Sequence, residues 1–275
     1  MWRTMWCALL VVACAGCSGA RKGPPLAVQC WTFRAFTFLE ALDQIKALGV
    51  TAVQAYPGQP LAPGLPGIVF DHRMSADQEA MVVEALRERG LRLVAYGVVD
   101  LGHDEQSMRQ VFDFARRLGI GTIVAEPEFD ALPLVERLVQ EYDIQVAIHN
   151  HPEPSRYARP ETVAEQLQGR DRRIGACADT GHWLRTGVVP VHALKMLRGR
   201  VLDVHLKDLN AFATRDAHDV PCGQGKADIR AVVAELRRQG YEGYLTIEYE
   251  NEQERRDPSP AVAESIRFLK KLGCR

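Results

Sequence analysis

Three short segments in the last hundred or so residues of the chain each end an apolar or β-branched run with a group that can ligate a metal or move a proton. They are Ile174-Gly175-Ala176-Cys177-Ala178-Asp179, Val201-Leu202-Asp203-Val204-His205-Leu206-Lys207 and Tyr244-Leu245-Thr246-Ile247-Glu248. A period of two sets Asp203, His205 and Lys207 on one face of their strand. It does the same for Tyr244, Thr246, Glu248 and Glu250, for Cys177 with Asp179, and for Val124 with Glu126. A charge on the inward face near a strand end is costly unless it is paired, hydrogen-bonded or bound to a metal. A single such residue is ordinarily an ion pair or a cap. Four or five of them on consecutive strands point instead to a metal or acid/base centre.

The elements that must position these groups repeat along the chain. Leu26 to Trp31 reads as a first strand and Phe38 to Leu48 as its helix; Thr51 to Tyr56 reads as a second strand. The Pro/Gly-rich run Pro57 to Gly67 is too irregular for an element and is placed to act as a substrate loop. Ser75 is set to cap a helix that runs to Arg89, with Gly90 closing it. Leu91 to Val99, Gly121 to Glu126 and Gln145 to Asn150 are strands three to five, followed by helices over Glu105 to Leu118, Leu132 to Glu141 and Pro160 to Leu167. The three opening segments are strands six to eight, with helices over Val191 to Leu197, Ile229 to Gly240 and Pro260 to Leu272. Eight strand–helix repeats with short breaks favour a closed parallel barrel, an α/β protein with one (β/α)8 TIM barrel over residues 26–275. In that fold the C-terminal strand ends share one mouth, so Asp179, His205 and Glu248 would meet there. No G-x-G-x-x-G or P-loop accompanies the early strands.

Ala178-Asp179-Thr180-Gly181-His182-Trp183, Val204-His205-Leu206-Lys207-Asp208 and Thr246-Ile247-Glu248-Tyr249 resemble the last three strand motifs of the xylose isomerase-like barrels. That group holds sugar isomerases and epimerases, hydroxypyruvate isomerases, inosose dehydratases and, more remotely, endonuclease IV. The resemblance implies a divalent ion, often manganese, held by Asp179, His205, Glu248 and a strand-five Glu. Here strand five reads Ile148-His149-Asn150-His151, so His149 stands at the Glu position, while strand four ends in Ala125-Glu126-Pro127-Glu128. The expected metal set is therefore Glu126, His149, Asp179, His205 and Glu248. Manganese comes first, with magnesium, iron, cobalt and zinc compatible with such nitrogen and oxygen donors. The other reading of His149 is a substrate contact that touches no metal.

The resemblance also implies proton transfer at the carbon next to a sugar carbonyl, the metal stabilising the enediolate. Glu248 carries over as one acid/base group, and Glu126 is the candidate for the other. A neutral imidazole also suits that role, with an unperturbed pKa of about 6.5. Lys207 is expected either to bind an oxyanion or hydroxyl or to pair with Asp179 or Glu248. His182, His151, Trp31 and His218, the last in the Gly-rich loop after strand seven, are the expected substrate contacts, and Trp31 with Tyr56 would form an apolar wall for a sugar ring. For His182 a structural role orienting Asp179 is the alternative.

Composition sets the remaining bounds. The chain has 275 residues, 47% hydrophobic and 25% charged, with a formal net charge of −1, which gives no basic surface for nucleic acid. Met1 to Thr4 form a short positive stretch, and the apolar run Met5 to Ala15 is too short for a spanning helix, which needs about 20 apolar residues; together they read as a secretory leader. Cys17 resembles the lipidated cysteine of bacterial lipoproteins, with Cys14 as a second match, giving a leader over 1–17, a linker over 18–25 and an exported, lipid-anchored barrel. Of the seven cysteines, Cys30, Cys177, Cys222 and Cys274 lie beyond the leader; Cys30 and Cys177 read as small core residues. No Arg/Lys cluster for phosphate is evident and export removes a protein from phosphorylated metabolites. The expected partner is accordingly a free or oxidised sugar, such as a 3-keto-sugar or glycoside fragment. A homo-oligomer stays open. A sugar lyase or dehydratase and a non-catalytic carbohydrate-binding lipoprotein are the alternatives to an isomerase or epimerase.

Overall fold

The structure, a computed structural model, describes residues 23–275; the expected leader and its candidate lipidated cysteines, and most of the linker, lie outside them. Eight parallel strands close into a barrel in which each is hydrogen-bonded to its sequence neighbours and the first pairs with the last. They are β1 (Leu26–Gln29), β2 (Ala52–Ala55), β3 (Arg92–Val99), β4 (Thr122–Ala125), β5 (Gln145–Ile148), β6 (Ile174–Asp179), β7 (Val201–Leu206) and β8 (Leu245–Ile247). The surrounding helices are α1 (Phe38–Ala47), α2 (Ala76–Arg89), α3 (Glu105–Leu118), α4 (Leu132–Tyr142), α5 (Pro160–Gln166), α6 (Thr180–Arg185), α7 (Pro190–Met196), α8 (Ile229–Gln239) and α9 (Ser259–Lys271). The expected (β/α)8 TIM barrel is the fold of the described chain. Ser75 caps α2 with a reciprocal Gln78 contact and Thr37 caps α1 with Glu40, each cap worth about 1 kcal/mol.

The period-two alternation builds the lumen in layers. Ala95, Val124, Ala147 and Cys177 form a small cluster of their own inside the barrel, separate from the large core between strands and helices. Cys177 Sγ lies 3.7 Å from Asp203 Oδ2 and Thr246 Oγ1 lies 3.4 Å from Asp203 Oδ1, so those strands contribute to the same layer. Two residues further along each strand come Gly97, Glu126, His149, Asp179, His205 and Glu248. At Gly97 any Cβ would sit 2.0 Å from the Val124 carbonyl oxygen, so only glycine allows β3 and β4 this approach.

Three local expectations differ from the structure. The first strand stops at Gln29, because its side chain accepts from the Trp31 N–H and starts a 3-10 turn over Cys30–Phe33. The Pro57 to Gly67 run is not wholly irregular: Gln59–Pro60 pairs antiparallel with Val69–Phe70, and buried Phe70 packs on Phe38 at 4.3 Å. Helix α6 follows β6 at once, its Thr180-Gly181 start being poor helix formers that disguise it in the sequence. Cys30, Cys177, Cys222 and Cys274 are buried free thiols.

Candidate metal centre

Asp179 is both the last residue of β6 and the cap of α6. Its Oδ1 accepts from the His182 N–H at 2.8 Å, and its Oδ2 turns into the lumen. Asn150 fixes this geometry from the next strand: its Oδ1 accepts from Asp179 N–H at 2.8 Å and its amide donates to Asp179 O at 3.1 Å. His205 enters from β7 and Glu248 from the end of β8, both buried. His205 Nδ1 lies 2.8 Å from Glu248 Oε2 and 3.8 Å from Asp179 Oδ2, neither in a well-directed hydrogen bond. Asp179 Oδ2, His205 Nδ1 and Glu248 Oε2 are all buried without a hydrogen-bond partner among the described residues. One ligand atom from each of the three residues can be taken within 4.8 Å of the others. The two carboxylate oxygens face the Lys207 ammonium, at 3.1 and 3.2 Å, and none of the three atoms makes a directed hydrogen bond, so an ion bound between them would supply the partner they lack. Two carboxylates and an imidazole are the donor set for a hard or borderline divalent cation, and their placement fits one.

The far ring nitrogen of His205 is held too. Nε2 lies 2.9 Å from the Gln54 amide and 3.6 Å from Asp203 Oδ2. With the Gln54 amide turned so that its otherwise unpartnered Oε1 accepts from Nε2–H, the Nδ1 lone pair is the one facing the centre.

The β4–β5 side is arranged differently. His149 is buried, its Nε2 3.5 Å from Asp179 Oδ2 and its Nδ1 3.1 Å from Glu126 Oε1. Glu126 lies one step back: Oε1 also accepts from the His151 N–H at 2.8 Å and sits 2.6 Å from His151 Nδ1, while Oε2 accepts from Ser155 Oγ at 2.7 Å. The structure thus brings His149 Nε2 within 3.5 Å of Asp179 Oδ2 and sets Glu126 behind it as its hydrogen-bond partner, while the tight group itself is Asp179, His205 and Glu248. Burial disfavours the His149 cation, but hydrogen bonds to Asp179 and Glu126 outweigh it and carry its pKa up to about 9. Burial likewise opposes ionisation of Glu126, and the two histidines hold it well below the usual carboxylate range.

Lys207 is fully buried inside this set. Its Nζ lies 3.1 Å from Asp179 Oδ2, 3.2 Å from Glu248 Oε2, 2.8 Å from Glu250 Oε2 and 3.2 Å from His182 Nε2. Both expected pairings of this lysine occur together. A Cβ at Gly181 would meet Lys207 Cβ at 2.5 Å, so glycine there lets α6 lie against the lysine stem. Burial opposes the ammonium, yet Asp179, Glu248 and Glu250 keep it well above its ordinary range. Burial also works against Asp179 and Glu248, and Lys207 with the neighbouring histidines holds both carboxyls low. His182 is buried against Arg185, Lys207 and Asp179; burial and Lys207 push its pKa well down.

A cavity of about 350 Å³ opens above the group, lined by Trp31, Tyr56, His149, His151, Lys207 and Glu248 among others. Trp31 and Tyr56 meet edge to face at 4.9 Å, and the indole stays 39% exposed. His218 does not reach this cavity; it lines a neighbouring one with Arg215. A larger cavity, about 910 Å³, opens at the opposite strand ends beside Arg92, Gln145 and Tyr244, away from the mouth. Sequence reasoning had not assigned Gln54, Asn150, Glu250 or Arg185 to the site. Gln54 and Glu250 had a signal in strand parity; Asn150 had one in its place between two histidines.

A family model described as xylose isomerase-like TIM barrel matches residues 42–272. The chain belongs to that family. A solved structure from Parabacteroides distasonis, described as a putative uncharacterized protein, is 34% identical with a TM-score of 0.73, over 90% of this chain and 98% of that one. The rhizopine catabolism protein MocC of Rhizobium meliloti is 25% identical over 214 residues, 70% of this chain and 63% of the relative. An inosose dehydratase of Clostridium beijerinckii is 22% identical over 156 residues, 52% of this chain and 50% of the relative. The chain therefore spans less than two thirds of the length of these two curated relatives.

Proposed function

We propose that this protein is a divalent-metal-dependent isomerase or epimerase of a free or oxidised sugar, working by proton abstraction next to a carbonyl. The observation that carries the reading is the convergence of Asp179 Oδ2, His205 Nδ1 and Glu248 Oε2, buried and without directed hydrogen bonds, beneath a cavity with an aromatic wall. His149 Nε2 is the fourth donor, with Glu126 fixing its ring from behind. A bound ion would supply Lewis-acid stabilisation of the negative charge that develops on the carbonyl oxygen.

The chain's own groups supply the rest. Glu248, held ionised against its burial by Lys207 and His205, is the base for the proton on the carbon next to the carbonyl. The Lys207 ammonium, bound to Glu250, faces the same cavity and can donate to an oxygen as charge builds on it. His151, which lines the cavity and is tied to Glu126 through Nδ1, keeps its other ring nitrogen to return a proton from the other side. Trp31 and Tyr56 would stack on the ring and exclude water.

The same carbanion can expel a hydroxyl in place of regaining a proton, so a dehydratase is the second reading, favoured by the similarity to an inosose dehydratase. The leader-like first 17 residues support an exported, lipid-anchored enzyme and hence an unphosphorylated substrate. The deciding experiment incubates the metal-loaded protein with candidate ketoses in D2O. Deuterium at the α-carbon with the sugar skeleton intact is expected for the isomerase; loss of water marks the dehydratase. Absence of exchange across the panel would leave only carbohydrate binding.

A further inference from the structure

We propose that the ligand of this barrel has two sugar rings, the reacting ring in the cavity above the ligand group and a glycosidically linked ring in a second cavity beside it. This deepens the proposed function and rests on its placement of the reacting sugar. The second cavity measures about 680 Å³ and is built by the segments that follow β1, β5, β6, β7 and β8 at the same barrel mouth. It shares Trp31 and Glu250 with the inner cavity of about 350 Å³. A ligand that touches Trp31 can therefore extend into either cavity.

Three observations favour a neutral, hydroxyl-rich ring as the outer occupant. First, Trp31 is exposed but braced: Tyr56 meets it at 4.9 Å and the Arg34 guanidinium lies 5.6 Å from its centroid. A platform already ordered loses little side-chain freedom on stacking. Second, two of the three arginines lining the outer cavity are matched by anions, and the third, Arg215, lies beside Asp216 in the same lining. Arg34 donates to Glu252 at 2.6 Å and Arg185 to Asp219 at 3.1 Å, while Glu250 lines the wall itself. These residues offer directed donors and acceptors rather than a concentrated positive charge for phosphate or carboxylate. Third, His218, the expected substrate contact on the loop after β7, lines the outer cavity and not the inner one. Only a ligand that spans both reaches His218 and Glu248 together.

Titration calorimetry on the full chain tests this with unreactive sugars, so the result does not depend on turnover. Cellobiose and maltose are compared with glucose and with glucose 6-phosphate. At least one disaccharide should bind about tenfold or more tighter than glucose. Gln253→Trp, an exposed change that fills the outer cavity, should bring that disaccharide down to the level of glucose, and Trp31→Ala should weaken it strongly. Equal affinity of glucose and both disaccharides overturns the proposal. So does a disaccharide preference that Gln253→Trp leaves untouched, or tighter binding of glucose 6-phosphate than of either disaccharide. Failure of the deuterium-exchange experiment would overturn the isomerase and dehydratase readings without altering these affinities, so the two failures are separable.

Discussion

The two sides of the barrel mouth solve the same problem in opposite ways. On the β6–β8 side, Asp179, His205 and Glu248 each turn a buried atom with no directed hydrogen bond toward a common centre, met by the Lys207 ammonium, while α6, Asn150 and Gln54 hold Asp179 and His205 in place. On the β4–β5 side nothing is left over. Glu126 gives every available oxygen to His149, His151 and Ser155, and His149 shows the centre a single ring nitrogen. One side is a carboxylate–imidazole set whose donors fit a divalent ion; the other is a histidine held by a carboxylate. A site that exchanges a first-contact carboxylate for an imidazole keeps a donor but loses a negative charge at the centre. The carboxylate reappears one strand earlier, where it orients the imidazole.

The most severe test of this contrast removes the base from the side with unpaired atoms. Glu248→Gln keeps the size and much of the burial but ends both ligation by carboxylate and proton abstraction. Solvent-deuterium exchange should fall by about 10²–10⁴-fold, the usual worth of a positioned acid/base group. The circular dichroism spectrum should be unchanged. Exchange at the wild-type rate would move the base elsewhere, with the β4–β5 side as the place to look.

A smaller effect is expected from the other side. Glu126→Gln keeps a hydrogen-bond acceptor for His149 while withdrawing its charge, and a metal held through His149 should then bind about 10–100-fold more weakly. Calorimetric titration with Mn2+ or Zn2+ reads this directly. Loss as complete as that from Asp179→Asn would instead make Glu126 a direct ligand after rearrangement. No change would remove His149 from the ligand set.

The sequence is legible on the β6–β8 side because there the chemistry coincides with periodicity. An apolar run of fixed parity ends in Asp179, His205 or Glu248, and a parallel strand leaves its terminal side chain only one direction to point. Glu126 obeys the same parity, yet its role is set by a contact across strands, with residues 23 to 29 positions later. No local pattern encodes that distance. Helix α6 was hidden for a similar reason, since its cap is Asp179 itself, already spoken for as a strand end. Glu250 shares the parity of Glu248, but its partner, Lys207 at 2.8 Å, stands on another strand and no local pattern names it.

Lys207 is where the two sides can be weighed against each other most finely. Its ammonium lies about as close to Asp179 Oδ2 and Glu248 Oε2 as a hydrogen-bonded cation can, so it occupies the charge field a divalent ion needs. A unit charge some 4 Å from another is worth about 4 kcal/mol at an effective dielectric of 20, with relief from Glu250, already bonded to the ammonium at 2.8 Å. Lys207→Met should therefore raise metal affinity, by about tenfold after that relief. The same variant should lower exchange, because the donor to the developing oxyanion is gone. Tighter metal with slower exchange is a combination that a purely structural lysine does not produce. If metal binding instead weakens in Lys207→Met, the ammonium is organising the carboxylates for the ion rather than competing with it. The unpaired atoms of the β6–β8 side would then owe their arrangement to Lys207 and not to the strands alone.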